Sequence, residues 1–173
     1  MTRLRTYAID SIVLTGLLAM SFGVSSLAQN PEHSRSESSD PFLRKWLAQD
    51  VVYIIKDEER AAFCRLTADE ERYHFIEQFW LRRDPTPETI ANELRDEHYR
   101  RIVYANERFP TTAPGWKTDR GRTYIVWGPP DQIEAHPRGD ANSPPFEIWR
   151  YRAGQGSERV LEFVGTEYKL RKR

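Results

Sequence analysis

Residues 115–133 read GWKTDRGRTYIVWGPPDQI and set charged side chains beside tryptophans, glycines and a double proline. One interpretation is an active site. The other, which we favour, is a tightly specified turn that leads into a strand. Thr118 and Asp119 can cap such a turn, and Gly121 can adopt the positive φ that it requires. Trp116 would then cover the adjacent core.

A strand is predicted to follow, because RTYIVW (122–127) is rich in β-branched and aromatic residues. We expect a second turn to redirect the chain after it, at Gly128, Pro129, Pro130 and Asp131. We also expect three cations of the stretch to pair with acids in the helical half of the chain: Lys117, Arg120 and Arg122.

Two later segments alternate between apolar and polar residues, as half-buried strands do. They are FEIWRY (146–151) and RVLEFV (159–164), separated by a loop that contains Gly-Gln-Gly-Ser (154–157). Helical patterns precede them along the chain. The sequence therefore predicts an α+β fold in which N-terminal helices pack on a small antiparallel sheet.

The helical half opens at Asp40-Pro41, the pattern of an N-cap followed by proline in the first turn. The β-branched run VVYII (51–55) could be a buried strand or a continuation of this helix, and periodicity does not decide between them. A second helix is predicted from a cap at Asp57 through Leu66.

Two longer helices should follow. Thr67 with Glu70 has the form of a capping box, and the third helix should end at Asp84 because proline follows it. A further cap at Thr86-Pro87 should start the fourth helix, which runs to about Arg108.

The N-terminus has the features of a secretory signal peptide, residues 1–28. Two arginines precede an uncharged apolar run from Ile12 to Val24, and Ser26-Leu27-Ala28 supplies the small residues of a cleavage site. A retained anchor is the competing interpretation, but thirteen apolar residues are fewer than the roughly 20 that span a bilayer. Residues 29–40 are polar and serine-rich and predict a flexible leader, followed by a single domain over 41–173.

Charge and cysteine content exclude several classes of function. Lys and Arg number 26 against 26 Asp and Glu, and cleavage after Ala28 would leave a net charge of −1. A nucleic-acid-binding protein would show a strongly basic face, so we expect no nucleic-acid partner. Cys64 is the only cysteine, so no internal disulfide can form and folding must depend on packing.

Charged residues of the helical half form the second candidate site. We expect an ion-pair network between the third and fourth helices, with His98 as a hydrogen-bonded core residue; its members are Arg82, Arg83, Asp84, Glu93, Glu97, His98, Arg100 and Arg101. The alternatives are an acid/base pair, a metal site, or an anion site at Arg82 and Arg83. Helix-borne zinc sites use two histidines one turn apart, and only one is present, so we expect no metal and no cofactor.

The chain resembles the GWxTD-domain proteins, a bacterial family. The name-giving residues stand here as Gly115-Trp116-Lys117-Thr118-Asp119, and the resemblance extends over residues 42–168. It includes Phe79-Trp80, Asn92-Glu93, Gly128-Pro129-Pro130-Asp131 and Glu147-Ile148-Trp149. One departure is Lys56, at a helix-capping position where relatives often carry threonine, so that cap must move to Asp57 or be lost. The resemblance implies an exported protein and assigns no activity.

Two function hypotheses follow. The first is a non-catalytic, exported interaction or structural module of the bacterial cell envelope, periplasmic or secreted, with no mature transmembrane helix. Its contact surface would lie around Trp116, Asp119, Arg120 and Pro129-Pro130, and its partner would be an envelope protein or ligand. The second is an envelope hydrolase that uses Glu93, Glu97, His98 or Asp119. We favour the first, because no local signature of an enzyme is present.

Overall fold

The computed structural model describes residue 38 and residues 40–139, 143–152 and 157–171, which belong to one compact unit. The predicted signal peptide and most of the predicted leader lie outside the described residues. Ser38, at the end of that leader, is buried, and its hydroxyl donates a 2.7 Å hydrogen bond to Asp69. Contacts to the folded unit therefore begin before the first helix.

The first helix, α1, covers Pro41–Lys45 and continues as a π-helical turn over Trp46–Asp50. The predicted cap is confirmed, because an Asp40 carboxylate oxygen accepts a 2.7 Å hydrogen bond from the amide of Phe42, the second residue of the helix. Residues 51–55 form turns, so neither the strand nor the helical continuation is correct. The Val51 carbonyl accepts two amide hydrogen bonds from within this run, both 2.9 Å long.

Helix α2 covers Asp57–Arg65, so Asp57 is its first residue and the prediction of a cap there was wrong. Lys56 occupies the capping position and makes no side-chain capping bond. Instead, the carboxylate of Glu59 accepts a 3.1 Å hydrogen bond from the Lys56 amide. This bond satisfies one of the amides that the start of a helix leaves without a partner.

Helix α3 covers Asp69–Leu81. The predicted pairing of Thr67 with Glu70 was wrong by one residue, because Glu71 accepts the 3.3 Å bond from the Ala68 amide. The helix also ends before Asp84, where the chain passes into turns.

Helix α4 covers Glu93–Arg108, so the predicted end is confirmed and the predicted start at Thr86-Pro87 was wrong. The reason lies at Asn92, which is buried. Its side-chain oxygen accepts a 2.8 Å bond from the Arg95 amide, and its side-chain nitrogen donates a 2.8 Å bond to the Trp80 carbonyl. This asparagine therefore caps α4 and fastens it to α3.

Helix α5 covers Asp119–Trp127 and follows a 3₁₀ turn at Gly115–Lys117. The strand predicted over 122–127 was therefore wrong. Tyr124 and Ile125 are both buried, 6% and 3% exposed. Because tertiary packing outweighs intrinsic propensity, a β-branched and aromatic run forms a helix here.

Among the described residues, four antiparallel strands complete the fold in the order β1-β2-β3-β4. They are β1 Gln132–His136, β2 Phe146–Arg152, β3 Glu158–Val164 and β4 Lys169–Leu170. The predictions of β2 and β3 are confirmed to within one residue, whereas β1 and β4 were not predicted. The fold class is α+β, as expected. None of the described helices is long and apolar enough to cross a membrane.

Two aromatic-rich clusters form the core of the described part of the chain. The first lies among α1, α2 and α3 and contains Leu43, Trp46, Val51, Phe63, Ile76, Phe79 and Trp80. The second lies between the sheet and helices α4 and α5 and contains Ile102, Ala105, Phe109, Tyr124, Ile125, Trp149, Tyr151 and Phe163. Tyr99 of α4 packs against both clusters, so α4 links the two parts of the molecule.

An ion pair joins α2 to the turn that follows α3. The Arg83 guanidinium donates two hydrogen bonds to the Glu59 carboxylate, 2.9 and 2.6 Å long, and stacks on Phe79 at 3.7 Å from the ring centroid. Burial alone raises the pKa of Glu59, but the bonds from Arg83 and from the Lys56 amide outweigh it and lower that pKa to about 2.

This ion pair predicts an acid dependence of stability. Because the folded-state pKa of Glu59 lies below its ordinary 4.5, its stabilisation is complete above pH 4.5 and is lost as the pH falls towards 2. We expect Glu59→Gln to lower the free energy of unfolding at pH 7 by about 1–3 kcal/mol, the range for bonds to charged groups. Its stability should also fall less steeply than that of wild type below pH 4.5.

Urea unfolding measured across this pH range tests the prediction, with Glu58→Gln as the matched control. Glu58 is the exposed neighbour on α2, so its variant should follow wild type. Parallel pH profiles for the Glu59 variant and wild type would contradict the assignment.

Candidate functional site

Gly115 and Gly121 bring three backbone segments into contact. A Cβ on Gly115 would lie 1.9 Å from the carbonyl oxygen of Ala105 in α4, and one on Gly121 would lie 1.9 Å from the carbonyl oxygen of Gly115. The expectation that Gly121 supplies a positive φ was wrong, because it lies inside α5. Glycine is required at both positions by close approach of the backbone.

Hydrogen bonds of Thr118 and Trp116 stabilise this contact between backbone segments. The Thr118 hydroxyl accepts a 3.1 Å bond from the Gly121 amide and donates a 2.8 Å bond to the Gly115 carbonyl, so it caps α5. The Trp116 amide donates to the Asn106 side chain over 3.0 Å, and its ring is half-buried. The predicted capping role of Thr118 is therefore confirmed, although it caps a helix and not a turn before a strand.

Asp119 holds the end of the sheet. One of its carboxylate oxygens accepts a 2.8 Å hydrogen bond from the Leu170 amide in β4. The first residue of α5 is thereby tied to the last strand, 51 residues further along the chain. The sequence predicted that Asp119 would cap a local turn. Its carboxylate instead accepts a hydrogen bond from a backbone amide in a distant strand.

Arg120 pairs with the sheet and not with the helical half, so that prediction was wrong. Its guanidinium donates a 2.9 Å bond to Glu147 in β2, with 11% of the arginine and 15% of the glutamate side chain exposed. The guanidinium stacks on Tyr168 at 3.8 Å. Trp149 completes the arrangement by donating a 3.0 Å bond to the same carboxylate.

The Gly128–Asp131 segment connects α5 to β1, as the predicted second turn requires. Gly128 has a φ of +81° and ends the helix. Its carbonyl accepts a 3.1 Å hydrogen bond from the Tyr151 hydroxyl. The Asp131 carboxylate accepts a 2.7 Å bond from the Arg152 amide, which fixes the connection to β2. Pro129 is exposed and Pro130 half-buried.

The second predicted site does not form one network. Glu97 pairs with Arg100 and Arg101 over 2.8 and 2.7 Å, as expected. Glu93 instead accepts a 2.5 Å bond from the Thr86 hydroxyl, so its pairing with arginine was wrong.

The other members of that network lie elsewhere. Arg83 and Arg82 bind Glu59, and Asp84 accepts a 3.0 Å bond from the Thr86 amide. Arg82 and Arg83 therefore pair with α2 from the turn that follows α3, and not with α4 as predicted.

His98 is a core residue, as predicted. It is 5% exposed, and its Nε2 lies 2.7 Å from the Asp50 carbonyl oxygen, to which it is hydrogen-bonded. Burial lowers the pKa of His98.

Bonds from the Arg101 and Arg100 side chains lower the pKa of Glu97. Within the described ranges, no group of His, Cys, Asp or Glu side chains could hold a metal ion.

Helix α5 separates the residues of the predicted contact surface. Arg120, Pro129 and Pro130 line a cavity of about 320 Å³ on one flank, with Tyr104 and Glu147. Other residues of α5 line a separate groove of about 400 Å³, which we call the α5 groove. It is lined by Tyr53, Asp119, Arg122, Thr123, Val126, Trp127, Arg159, Leu161 and Leu170.

Cations lie on aromatic rings along the α5 groove. Arg122 stacks on Tyr53 at 5.4 Å, and Arg159 stacks on Trp127 at 4.3 Å. Beside the groove, Lys117 lies 5.1 Å from the centre of the Trp116 ring. Sequence reasoning missed Tyr53, Trp127 and Arg159 as members of a site. Trp127 is adjacent to a motif glycine, but Tyr53 and Arg159 are remote in sequence and carry no local signal.

The glycine contact predicts which substitution the fold will not tolerate. Gly121→Ala places a methyl group against the Gly115 carbonyl in a close-packed interior. We expect it to lower the free energy of unfolding by more than about 4 kcal/mol or to abolish folding. Gly165→Ala is the control: its φ is +80° but no atom lies within 4 Å of the new Cβ, so it should cost about 1–2 kcal/mol.

Urea unfolding followed by tryptophan fluorescence compares the two variants. Equal losses would mean that the Gly121 contact can relax and is not what fixes α5.

Comparison with known proteins agrees with the resemblance drawn from the motif. A family described as the GWxTD domain matches residues 32–172, which is nearly the whole chain. The searches of curated proteins and of solved structures found no match. The match covers α1 through β4, including both glycines of the backbone contact. By this match, the chain belongs to the GWxTD-domain family.

Proposed function

We propose that this chain is a bacterial, exported, non-catalytic module of the cell envelope that binds an acidic protein segment in the α5 groove. The observation that carries the proposal is a set of three cations: Arg122 and Arg159, which line the groove, and Lys117 beside it. Each is stacked on an aromatic ring, and none has a carboxylate partner within 4 Å among the described residues.

These cations differ from most arginines of the described fold. Arg72, Arg83, Arg101 and Arg120 all have a carboxylate within 2.9 Å. Arg122 and Arg159 are exposed, and Asp119, the one carboxylate among the described residues that line the groove, already accepts a hydrogen bond from the Leu170 amide. The groove is thus a local positive site on a chain of balanced charge, and such a site favours an anionic partner.

Apolar side chains make a protein segment the best-fitting partner. Val126, Trp127 and Leu170 are 40%, 38% and 37% exposed in the same groove. A site that combines apolar side chains with a few placed charges is typical of peptide and ligand recognition. Acidic side chains next to apolar ones supply both contacts.

The alternative hypothesis, an envelope hydrolase, has less support from the residues that it would use. An acid catalyst needs a raised pKa, whereas the hydrogen bond from Thr86 lowers the pKa of Glu93 and the bonds from arginines lower that of Glu97. Glu97 and His98 line one cavity with Arg101, and Asp119 lines the α5 groove.

The proposed location depends on the N-terminal sequence. If residues 1–28 are a signal peptide, expression of the full chain in a bacterial host should yield a periplasmic protein that begins at Gln29. Cell fractionation followed by intact mass measurement tests this. Substitution of Ala28 by a bulky residue should block cleavage. A cytoplasmic protein of full mass would contradict the proposal of export.

Charge reversal in the groove tests the proposed binding. We expect the protein to bind poly-L-glutamate at physiological salt and the double variant Arg122→Glu/Arg159→Glu to bind at least about tenfold more weakly, because like charges then face the ligand. The matched control is Arg65→Glu/Arg138→Glu, which makes the same change of charge at exposed residues outside the groove. It should bind as wild type does.

Binding is measured by fluorescence polarisation, with single-stranded DNA of similar length as a second probe. Equal weakening by both double variants would mean that net charge, and not the groove, controls binding. DNA that binds as tightly and with the same dependence on Arg122 and Arg159 would contradict a protein ligand.

A further inference from the structure

We propose that the cavity beside Arg120 binds a small carboxylate that carries an apolar or aromatic body. This site is separate from the α5 groove and goes beyond the proposed function. The cavity has a volume of about 320 Å³, which is at the lower end of the range for small-ligand pockets. It is bounded by the C-terminal part of α4, by α5, by Pro129-Pro130 and by strands β1 and β2.

The described chain enters and leaves the fold away from this cavity. It enters at Ser38, which is hydrogen-bonded to the start of α3, and it leaves at Arg171, which is hydrogen-bonded to β3. Among the described residues that line the cavity, none belongs to α3 or β3. In the loop between β1 and β2, a Cβ on Gly139 would lie 1.9 Å from the Ser143 carbonyl oxygen. The break in the described residues of that loop therefore begins and ends at one place.

The charges in the cavity favour an anion. Two arginines and one carboxylate line it: Arg108, Arg120 and Glu147. Arg120 pairs with Glu147 over 2.9 Å, whereas Arg108 is exposed and has no carboxylate within 4 Å among the described residues. The lining thus carries one positive charge that no anion of the described fold neutralises. A local excess of this kind attracts an anionic ligand.

Arg120 has hydrogen-bond donors to spare. A guanidinium offers five N–H groups, and only Nη1 donates to Glu147 in the described part of the chain. The Nε–H is buried and has no hydrogen-bond partner there. Stacking on Tyr168, 3.8 Å from the ring centroid, holds the guanidinium in place. The unused Nη2 donors of Arg120 are therefore already oriented for a ligand, which lowers the cost of binding.

The other walls supply apolar surface. Tyr104 and Tyr124 are stacked, with ring centroids 4.4 Å apart. Ile133 lies opposite Trp149 and therefore on the same, inner face of the sheet, yet it is 51% exposed while Trp149 is fully buried. The apolar body of a ligand would cover this inner-face isoleucine and Pro129-Pro130 while its carboxylate lies at the arginines. A few placed charges beside apolar walls are typical of small-molecule sites.

Phenylacetate tests the site, because it joins a carboxylate to a phenyl ring. We expect saturable shifts in the two-dimensional NMR spectrum of labelled protein, at amides of the cavity residues and at the buried Nε–H of Arg120. Phenethyl alcohol keeps the ring without the charge, and acetate keeps the charge without the ring. Each should bind at least about tenfold more weakly than phenylacetate, because charge-assisted hydrogen bonds or apolar contacts are lost.

Arg108→Gln tests the role of the unpaired cation. The substitution takes no partner from a carboxylate, so we expect the fold to be unchanged. Phenylacetate should bind at least about tenfold more weakly, whereas the dissociation constant of phenethyl alcohol should change less than about twofold. The matched control is Arg65→Gln, at an exposed arginine of α2 outside the cavity, which should bind both compounds as wild type does.

Ile133→Ala tests the apolar wall. We expect it to weaken both phenylacetate and phenethyl alcohol at least about threefold, because methylene groups that cover the ring are removed. Val103→Ala is the matched control, at a residue of α4 that is 56% exposed and does not line the cavity. Near-UV circular dichroism checks that each variant is folded.

The outcomes decide between a carboxylate site and weaker alternatives. Shifts that do not saturate, equal binding of phenylacetate and phenethyl alcohol, or equal binding of acetate would overturn the proposal. Equal weakening by Arg108→Gln and Arg65→Gln would also overturn it, because net charge alone would then explain binding. Arg122 and Arg159 do not line this cavity, so the proposed binding of an acidic segment in the α5 groove stands or falls separately.

Discussion

The close approach of backbone at Gly115 and Gly121 is the constraint on which the rest of the structure depends. Each glycine lies where a Cβ would be 1.9 Å from a carbonyl oxygen, so α4, the 3₁₀ turn and α5 are held together with no side chain between them. With α5 fixed in this way, Asp119 reaches β4 and Arg120 reaches Glu147 in β2. Gly128 then ends the helix and begins the connection to β1.

The sequence predicted the elements whose pattern is local. Strands β2 and β3 alternate between inner and outer faces, and the partners of Glu97 are three and four residues away on the same helix. Residues 122–127 of α5 were predicted as a strand because their side chains favour strands. The contact at Gly121 that fixes this segment as a helix is a tertiary contact. Likewise, Arg83 and Glu59 are 24 residues apart, and no local pattern indicates that they meet.

The candidate site could be predicted only in part for the same reason. The motif was identified as a specified turn, and most of its residues do serve the fold: Gly115 and Gly121 are packed against backbone, and Thr118 is a buried cap. The α5 groove, however, draws on Tyr53, α5, β3 and β4, which lie far apart in the sequence. Its positive charge comes from Arg122, in the motif region, and from Arg159. Only the fold brings these two residues to the same groove.

This division of roles bears on what membership of the family means. Because the motif glycines and Thr118 are used in backbone packing, sharing the motif implies sharing the position of α5 relative to α4 and the sheet. The ligand is a separate matter, since the groove-lining side chains at Tyr53, Arg159 and Leu170 lie outside the motif. A fold can carry different sites on one scaffold. The motif therefore predicts that a relative has a groove in this place, and under the proposed function the residues that line the groove decide what it binds.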